Sequence, residues 1–228
     1  MRIIASDFDE TLLVKDHDIF EKNVKAIDHF ISKGNIFVII TGRLYTDIKL
    51  LLNKHNIHYS FLICQDGAKI LNEFDYSIKD HLLPKEKIDE VIKIFDKHKL
   101  DYYLDDGYNI TTNKNDCIKI NSKIRDREEA KEVLKEIKDN VDVYAYLSRS
   151  YINIIDSNTS KSIALEYLMY HEDFNKEDIY VIGDDVNDYE MLSEFNGGVM
   201  TKHNKKLDSL NKKEFDTLYE FIEYVENN

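Results

Sequence analysis

The segment "IIASDFDETLL" (residues 3–13) decides how the rest of the chain is interpreted. Its apolar half is typical of a buried strand, yet it leads into Asp7 and Asp9, two carboxylates one residue apart. Residues two apart on an extended chain point to the same side, so both acids should face the same way. Like charges held this close cost free energy unless a cation or a shared proton offsets them. The segment therefore indicates either a solvated turn after a strand or a cation site.

Strand and helix signals alternate on both sides of the chain's middle third. Short apolar runs at 2–6, 35–40 and 60–64 are typical of buried strands, and residues 24–31 and 46–55 have helical spacing. The alternation of strands and helices resumes after residue 157. It comprises a strand at 178–183, a helix at 189–195, a short strand at 197–200 and a last helix through 215–225. Strands that alternate with helices predict a parallel sheet with right-handed crossovers.

The middle third has a different order of elements. It begins at Pro84, and helical spacing at 88–95 and 130–137 alternates with strand pairs around 102–112, 117–121, 141–147 and 151–155. The predicted fold class is therefore α/β, a Rossmann-like parallel-sheet core domain with an inserted α+β domain of order αββαββ. We expect the core to comprise residues 1–82 and 157–228, and the insert residues 83–156.

Composition excludes several classes of partner. The 228 residues carry a net charge of −13, which disfavours binding to nucleic acid or to an anionic membrane surface. Cys64 and Cys117 are isolated in sequence and are expected to be reduced thiols. No apolar stretch approaches the ~20 residues of a membrane span, and no signal peptide precedes Asp7. These features predict a cytoplasmic protein. A monomer or a weak homodimer is expected.

A second acidic cluster follows the strand at 178–183. Asp184, Asp185, Asn187 and Asp188 crowd the turn before the next helix, at the sheet edge where Asp7 also lies. One Asp at this position would be explained by helix N-capping, but three exceed that need. Hard carboxylate oxygens with open positions suit Mg²⁺, so the two clusters together favour a magnesium site.

Two smaller features lie near the same edge. Thr41 and Gly42 end the second core strand and indicate either an anion site or an ordinary helix cap. Lys161 precedes a helix, where a cation opposes the helix dipole. It is therefore either a solvated surface lysine or the partner of an anion.

These motifs, taken in order, resemble the four motifs of the haloacid dehalogenase superfamily. They are Asp-x-Asp-x-Thr at Asp7, Thr-Gly-Arg at Thr41, the lysine at 161 and Gly-Asp-x-x-Asn-Asp up to Asp188. The insert resembles the type IIB cap of Cof-type sugar phosphatases and their relatives. Two departures are Glu10, where the family often has Gly, and Asp66, where many Cof-like sequences have Asn.

The resemblance implies a role for each motif residue. Asp7 would be the nucleophile that forms an aspartyl phosphate, Asp9 the general acid and base, and Lys161 the cation that neutralises Asp7 and the phosphate. Thr11 would brace the loop. The implied phosphate-binding residues are Thr41, Gly42, Lys161 and Asn187. The implied magnesium ligands are Asp7, Asp9 through its backbone carbonyl, Asp184 and Asp188, the last either directly or in support.

The resemblance implies a Mg²⁺-dependent phosphatase of a small phosphorylated metabolite, such as a sugar phosphate or a phosphoglycolate-like compound. Two alternatives stay open: a phosphomannomutase-like phosphotransferase, and a phospho-aspartate or Mg²⁺-binding protein without turnover. No nucleic-acid or membrane partner is expected.

The insert is rich in tyrosine, at positions 102, 103, 108, 144, 146 and 151. Aromatic packing on half-buried strands explains these residues without a site. Lys119 and Arg149 are interpreted as surface charges, although either could contact a substrate.

Overall fold

The computed structural model describes residues 1–148 and 150–228, which form two β-sheets. In spatial order the larger sheet contains β13 (Lys213–Phe215), β12 (Asn196–Met200), β11 (Ile179–Gly183), β1 (Ile3–Asp7), β2 (Ile36–Ile40), β3 (Phe61–Cys64), β4 (Lys69–Asn72) and β5 (Ser77–Asp80). Pairing is parallel from β13 to β3 and antiparallel from β3 to β5. The predicted parallel core sheet is confirmed.

Five helices cover the two faces of this sheet: α1 (His17–Ser32), α2 (Tyr45–Lys54), α5 (Lys161–His171), α6 (Tyr189–Glu194) and α7 (Leu218–Asn227). Side chains alternate along each strand, so Ile4 and Ile39 pack with α1, α2 and α7 on one face. Ile3 and Val38 pack with α5 and α6 on the other face. The strands are apolar on both faces because both faces are covered.

The smaller sheet is antiparallel and forms the insert. Its spatial order is β7 (Ile110–Thr111), β6 (Tyr102–Asp105), β8 (Lys119–Lys123), β10 (Tyr151–Asp156) and β9 (Val143–Leu147). The helices α3 (Lys85–Lys97) and α4 (Arg127–Asn140) pack on one face through a separate apolar cluster. The other face turns toward the carboxyl edge of the core sheet, where its side chains line a shared cavity.

The predicted single strand at 102–112 is wrong, because the chain turns within it. The amide of Asp106 donates to the carbonyl of Asn109 over 3.0 Å, and Gly107 has a φ of +88°. This turn splits the segment into β6 and the short β7, so the insert has the order αβββαββ.

Three core strands lacked a sequence signal. The β4–β5 hairpin was not predicted because β5 is largely exposed and has no apolar alternation. The last helix was predicted to include Phe215, but Phe215 lies in β13 and the helix begins after the Thr217 cap. The chain crosses between the sheets at 81–84 and 157–160. No helix in the described part of the chain is long and apolar enough to span a bilayer.

Candidate active site

Three carboxylates meet where β1 and β11 end. These strands are parallel neighbours, with Ala5 opposite Val181, so Asp7 and the turn after Gly183 lie side by side. One carboxylate oxygen from each of Asp7, Asp184 and Asp188 lies within 4.8 Å of the others. Asp7 and Asp188 are buried, at 7% and 0% exposure. The two acidic clusters of the sequence are therefore one cluster in space.

Lys161 places its ammonium group inside this cluster. Its Nζ lies 2.5 Å from Asp7 Oδ1 and 2.7 Å from Asp188 Oδ1, and the residue is only 1% exposed. Burial alone would lower the pKa of Lys161, but the surrounding carboxylates outweigh it and raise the pKa above its usual range. The interpretation as a surface lysine is therefore wrong.

One ammonium does not balance three carboxylates. Burial raises the pKa of Asp7 well above its usual value, and the charges of Asp188 and Asp184 raise it further against the effect of Lys161. Burial and then Asp188 likewise raise the pKa of Asp184 to about 7. Burial is the larger cause of both shifts and neighbouring negative charge adds to it, so a divalent cation would favour the ionised forms. The all-carboxylate donor set fits Mg²⁺.

Asp188 has both carboxylate oxygens engaged. Oδ1 accepts from Lys161, while Oδ2 accepts from the backbone N–H groups of Asp184 and Asp185 over 2.9 and 3.0 Å. Asp188 therefore holds the loop and the lysine in place. The hydroxyl of Thr11 donates to Asp184 Oδ1 over 3.3 Å and ties the first loop to this turn.

The carboxylate of Asp9 lies apart from the cluster. Arg43 donates Nε to Asp9 Oδ2 over 2.7 Å and a terminal nitrogen to Oδ1 over 2.6 Å. The pair is partly exposed at the cavity rim. Sequence reasoning assigned no role to Arg43, although it is the third residue of the Thr-Gly-Arg motif.

The proposed phosphate-binding residues lie beside the cluster. Thr41 directly follows β2, is 1% exposed and accepts from the backbone N–H of Arg43 over 3.2 Å. A Cβ atom at Gly42 would lie 2.9 Å from a carboxylate oxygen of Asp66, so only glycine fits without a shift. Asn187 donates its side-chain amide to Asp66 over 2.9 Å.

Asp66 joins the insert to the core. Its carboxylate accepts from Lys119 over 2.7 Å and from the Tyr146 hydroxyl over 2.5 Å, both from the insert, and from Asn187 of the core. Lys119 also donates to the Gly42 carbonyl over 3.0 Å. Burial would raise the pKa of Asp66, but Lys119, Lys161 and the hydrogen bonds outweigh it and lower the pKa to about 2.

Two interpretations of the insert need correction. Lys119 is 2% exposed and pairs with Asp66, so it is not a surface charge. Tyr103, Tyr146 and Tyr151 do more than pack in the sheet, because they line a cavity of about 490 Å³ between insert and core. The cavity also exposes Asp7, Asp9 and Asp184. Arg149 lies outside the described residues.

A parallel sheet with a buried Asp–Lys–Asp cluster at its carboxyl edge, covered by an inserted antiparallel sheet, defines a two-domain α/β protein with an acidic site beneath the inserted domain. The family profile of haloacid dehalogenase-like hydrolases matches residues 4–122 and 104–220. The chain belongs to this family, and the inserted sheet is its cap.

Relatives agree with this assignment. The chain is 25% identical over 227 residues to the HMP-PP phosphatase of Yersinia enterocolitica, which covers 87% of this chain and 83% of that protein. A protein of Plasmodium vivax classed as HAD/Cof-like hydrolase has a TM-score of 0.86 at 19% identity, covering 100% of this chain and 96% of that one. A subclass IIB sugar phosphatase has a TM-score of 0.79 at 17% identity, covering 100% and 98%. The cap therefore has the type IIB fold.

Proposed function

We propose that this chain is a Mg²⁺-dependent phosphatase that hydrolyses a small phosphorylated metabolite through an aspartyl phosphate on Asp7. The observation that carries the proposal is the contact of buried Asp7 with Lys161, at the floor of a cavity large enough for a metabolite. The phosphatases among the relatives support it. We further propose residues 1–82 and 157–228 as the catalytic domain and 83–156 as the cap domain.

Asp7 and Asp184 would hold the magnesium ion, with the Asp9 carbonyl as a further ligand and Asp188 as a direct ligand or a support. When bound, the ion supplies positive charge that neutralises the phosphoryl oxygens during transfer.

In the first step a carboxylate oxygen of Asp7 attacks phosphorus, and the bond from phosphorus to the leaving oxygen breaks. Lys161 offsets negative charge beside Asp7. The Thr41 hydroxyl, the Gly42 amide and the Asn187 side chain would bind the phosphoryl oxygens. The leaving oxygen takes a proton from the carboxylic acid of Asp9.

In the second step water attacks the phosphorus of the aspartyl phosphate. Asp9, now a carboxylate, takes the proton from that water, and inorganic phosphate leaves while Asp7 is restored. Because Arg43 engages both oxygens of Asp9, this pair must separate before Asp9 can reach a substrate. The partial exposure of both side chains leaves room for that movement.

The test is phosphate release from a panel of small phosphorylated metabolites, with and without Mg²⁺. The parent protein should release phosphate only with the metal. Asp7→Asn should lose at least about a thousandfold in rate, because no other group replaces the nucleophile. Release that is independent of Asp7 or of Mg²⁺ in a folded protein would contradict the proposal.

A further inference from the structure

The turn after β6 brings the cap into close contact with the core. The ring of Tyr108 in this turn lies 5.3 Å from the ring of Tyr45 on α2, and the ammonium group of Lys69 on β4 lies 3.8 Å from the centroid of the Tyr108 ring. A Cβ atom at Gly107 would lie 3.0 Å from the Lys69 side chain. The turn therefore packs against two elements of the core sheet and its helices.

Asp105 precedes this turn and meets Gln65, which belongs to the core loop after β3. Both residues are 0% exposed. The Gln65 side-chain amide donates to Asp105 Oδ1 over 3.4 Å, and the backbone N–H of Gly107 donates to the same oxygen over 2.7 Å. The other oxygens of the two side chains, Gln65 Oε1 and Asp105 Oδ2, are buried and have no hydrogen-bond partner among the described residues.

Two buried acceptor oxygens without a donor cost free energy, because each has lost its hydrogen bonds to water. An ionised Asp105 offers no hydrogen atom to either oxygen. A protonated carboxyl group is a donor on one oxygen and still accepts on the other. A proton on Asp105 Oδ2 would donate to Gln65 Oε1, while Oδ1 continues to accept from the Gln65 amide. The carboxylic acid and the carboxamide would then be joined by two hydrogen bonds.

The groups around Asp105 support a proton at mildly acid pH. Burial raises the pKa of Asp105 to about 6, against the lowering effects of the Gly107 amide, Lys119 and the Gln65 amide. The nearby charged side chains are Asp106, Lys119 (paired with Asp66) and Lys69 (paired with Asp80). Burial raises the pKa of the other titratable side chains near Asp105, so they stay neutral below pH 8; these are Cys64, Cys117 and Tyr103.

We propose that a proton on Asp105 holds the cap on the core by joining Asp105 to Gln65 through two hydrogen bonds, and that loss of this proton releases the contact. The proton would exchange with solvent through the cavity that Asp105 lines. Once ionised, the carboxylate faces Gln65 Oε1 without a donor between them, so the contact becomes unfavourable. The cap is then held more firmly on the core at acid pH than at neutral pH.

The first test is the pKa of Asp105, followed by carboxyl carbon NMR in the parent and in Gln65→Met. Methionine keeps the length of the side chain and removes its polar atoms. We expect a pKa of about 6 in the parent and a pKa lower by at least about 0.5 in Gln65→Met, because the protonated form loses its acceptor. An unchanged or higher pKa in Gln65→Met would show that Gln65 does not accept this proton, and would overturn the inference.

The second test is hydrogen exchange of the backbone amides in 65–69 and 105–109 at pH 5 and pH 8, corrected for the intrinsic effect of pH on exchange. In the parent, protection should be at least about fivefold higher at pH 5, because opening the contact then breaks two hydrogen bonds. Asp105→Asn should show the higher protection at both pH values, because its amide can donate to Gln65 Oε1 at any pH.

Asp101→Asn is the matched control for hydrogen exchange, because Asp101 is an exposed cap aspartate that pairs with Arg125. It should retain the pH dependence of the parent. Equal protection at the two pH values in the parent, or a pH dependence that persists in Asp105→Asn, would overturn the inference. Neither test uses turnover, so both results hold whether or not the protein proves to be a phosphatase.

Discussion

Lys161 is the residue on which the charge balance of the site depends. Its ammonium group contacts Asp7 and Asp188 in a region closed to solvent, with Asp184 in the same cluster. Such a pair adds little net stability compared with apolar residues, yet removing one partner leaves buried charge uncompensated. The lysine is thus both a proposed catalytic group and a structural requirement.

Lys161→Met should lower the free energy of unfolding by about 3–5 kcal/mol at pH 8, because three carboxylates then lack their cation. Urea unfolding in the absence of Mg²⁺ measures the loss. Lys135→Met is the control, since Lys135 pairs with Asp139 on an exposed helix surface and its loss should change stability far less. Equal losses in both variants would contradict this view of the cluster.

Asp105 gives the chain a pH-dependent stability. Burial raises its pKa from 3.8 to about 6, against the lowering effects of the Gly107 amide and Lys119. One oxygen accepts from Gly107, and the other has no partner among the described residues. Because the folded state binds the proton more tightly, this residue's contribution to stability is lost as the pH rises from about 4 to about 6.

Asp105→Asn should therefore stabilise the protein at pH 8 by up to about 3 kcal/mol and leave it nearly unchanged at pH 4. Thermal unfolding at the two pH values tests this, with the parent as reference. A gain of the same size at both pH values would show that ionisation of Asp105 is not the cause.

At the scale of elements, the loop after β3 fixes the position of α5. Gly67 has a φ of +108°, and a Cβ atom there would lie 2.3 Å from the Ser160 carbonyl oxygen. Ser160 caps α5, which begins with Lys161. The close approach of these backbones brings Lys161 near Asp66, and its charge is one of those that lower the pKa of Asp66.

Gly67→Ala should cost more than about 3 kcal/mol, because the added methyl group meets backbone that cannot move aside. Gly34→Ala is its control: Gly34 also has positive φ, +82°, but nothing lies within 4 Å of the added atom. That change should cost only about 1 kcal/mol. Chemical denaturation of both variants provides the comparison, and similar losses would contradict the role assigned to the contact.

Helices and strands were predicted correctly from the sequence where apolar residues repeat regularly over many positions. Both acidic turns were located because each follows a buried strand, β1 or β11. The hairpin of β4 and β5 was missed because an exposed edge strand carries no alternation. Contacts between distant segments had no local signal, so the pairing of Arg43 with Asp9 and of Lys119 with Asp66 could not be predicted.

At the scale of the whole molecule, Asp66 links the two sheets through charge. Its carboxylate, 0% exposed, receives hydrogen bonds from Lys119 and Tyr146 of the cap and Asn187 of the core. From the sequence, Asp66 was recognised only as a departure from the asparagine common in Cof-like sequences, and no contact was predicted for it. The structure gives the extra charge a partner in Lys119.

Lys119→Met should destabilise the protein by about 3–5 kcal/mol, since it leaves Asp66 ionised and buried without its cation. The double variant with Asp66→Asn should recover part of that loss, because neither charge remains. Lys114→Met, which removes a solvent-accessible pair with Asp89 within the cap, should cost far less. Additive losses in the double variant would contradict a direct coupling between cap and core.

The proposed phosphatase function depends on phosphorylation of Asp7 during turnover. The most direct measurement is rapid quenching of the parent enzyme during turnover of a preferred substrate with Mg²⁺, followed by borohydride reduction and mass mapping of the modified residue. We expect modification at Asp7, which should be absent without Mg²⁺ and absent in Asp7→Asn. Modification at another residue, or steady phosphate release with none at Asp7, would contradict it.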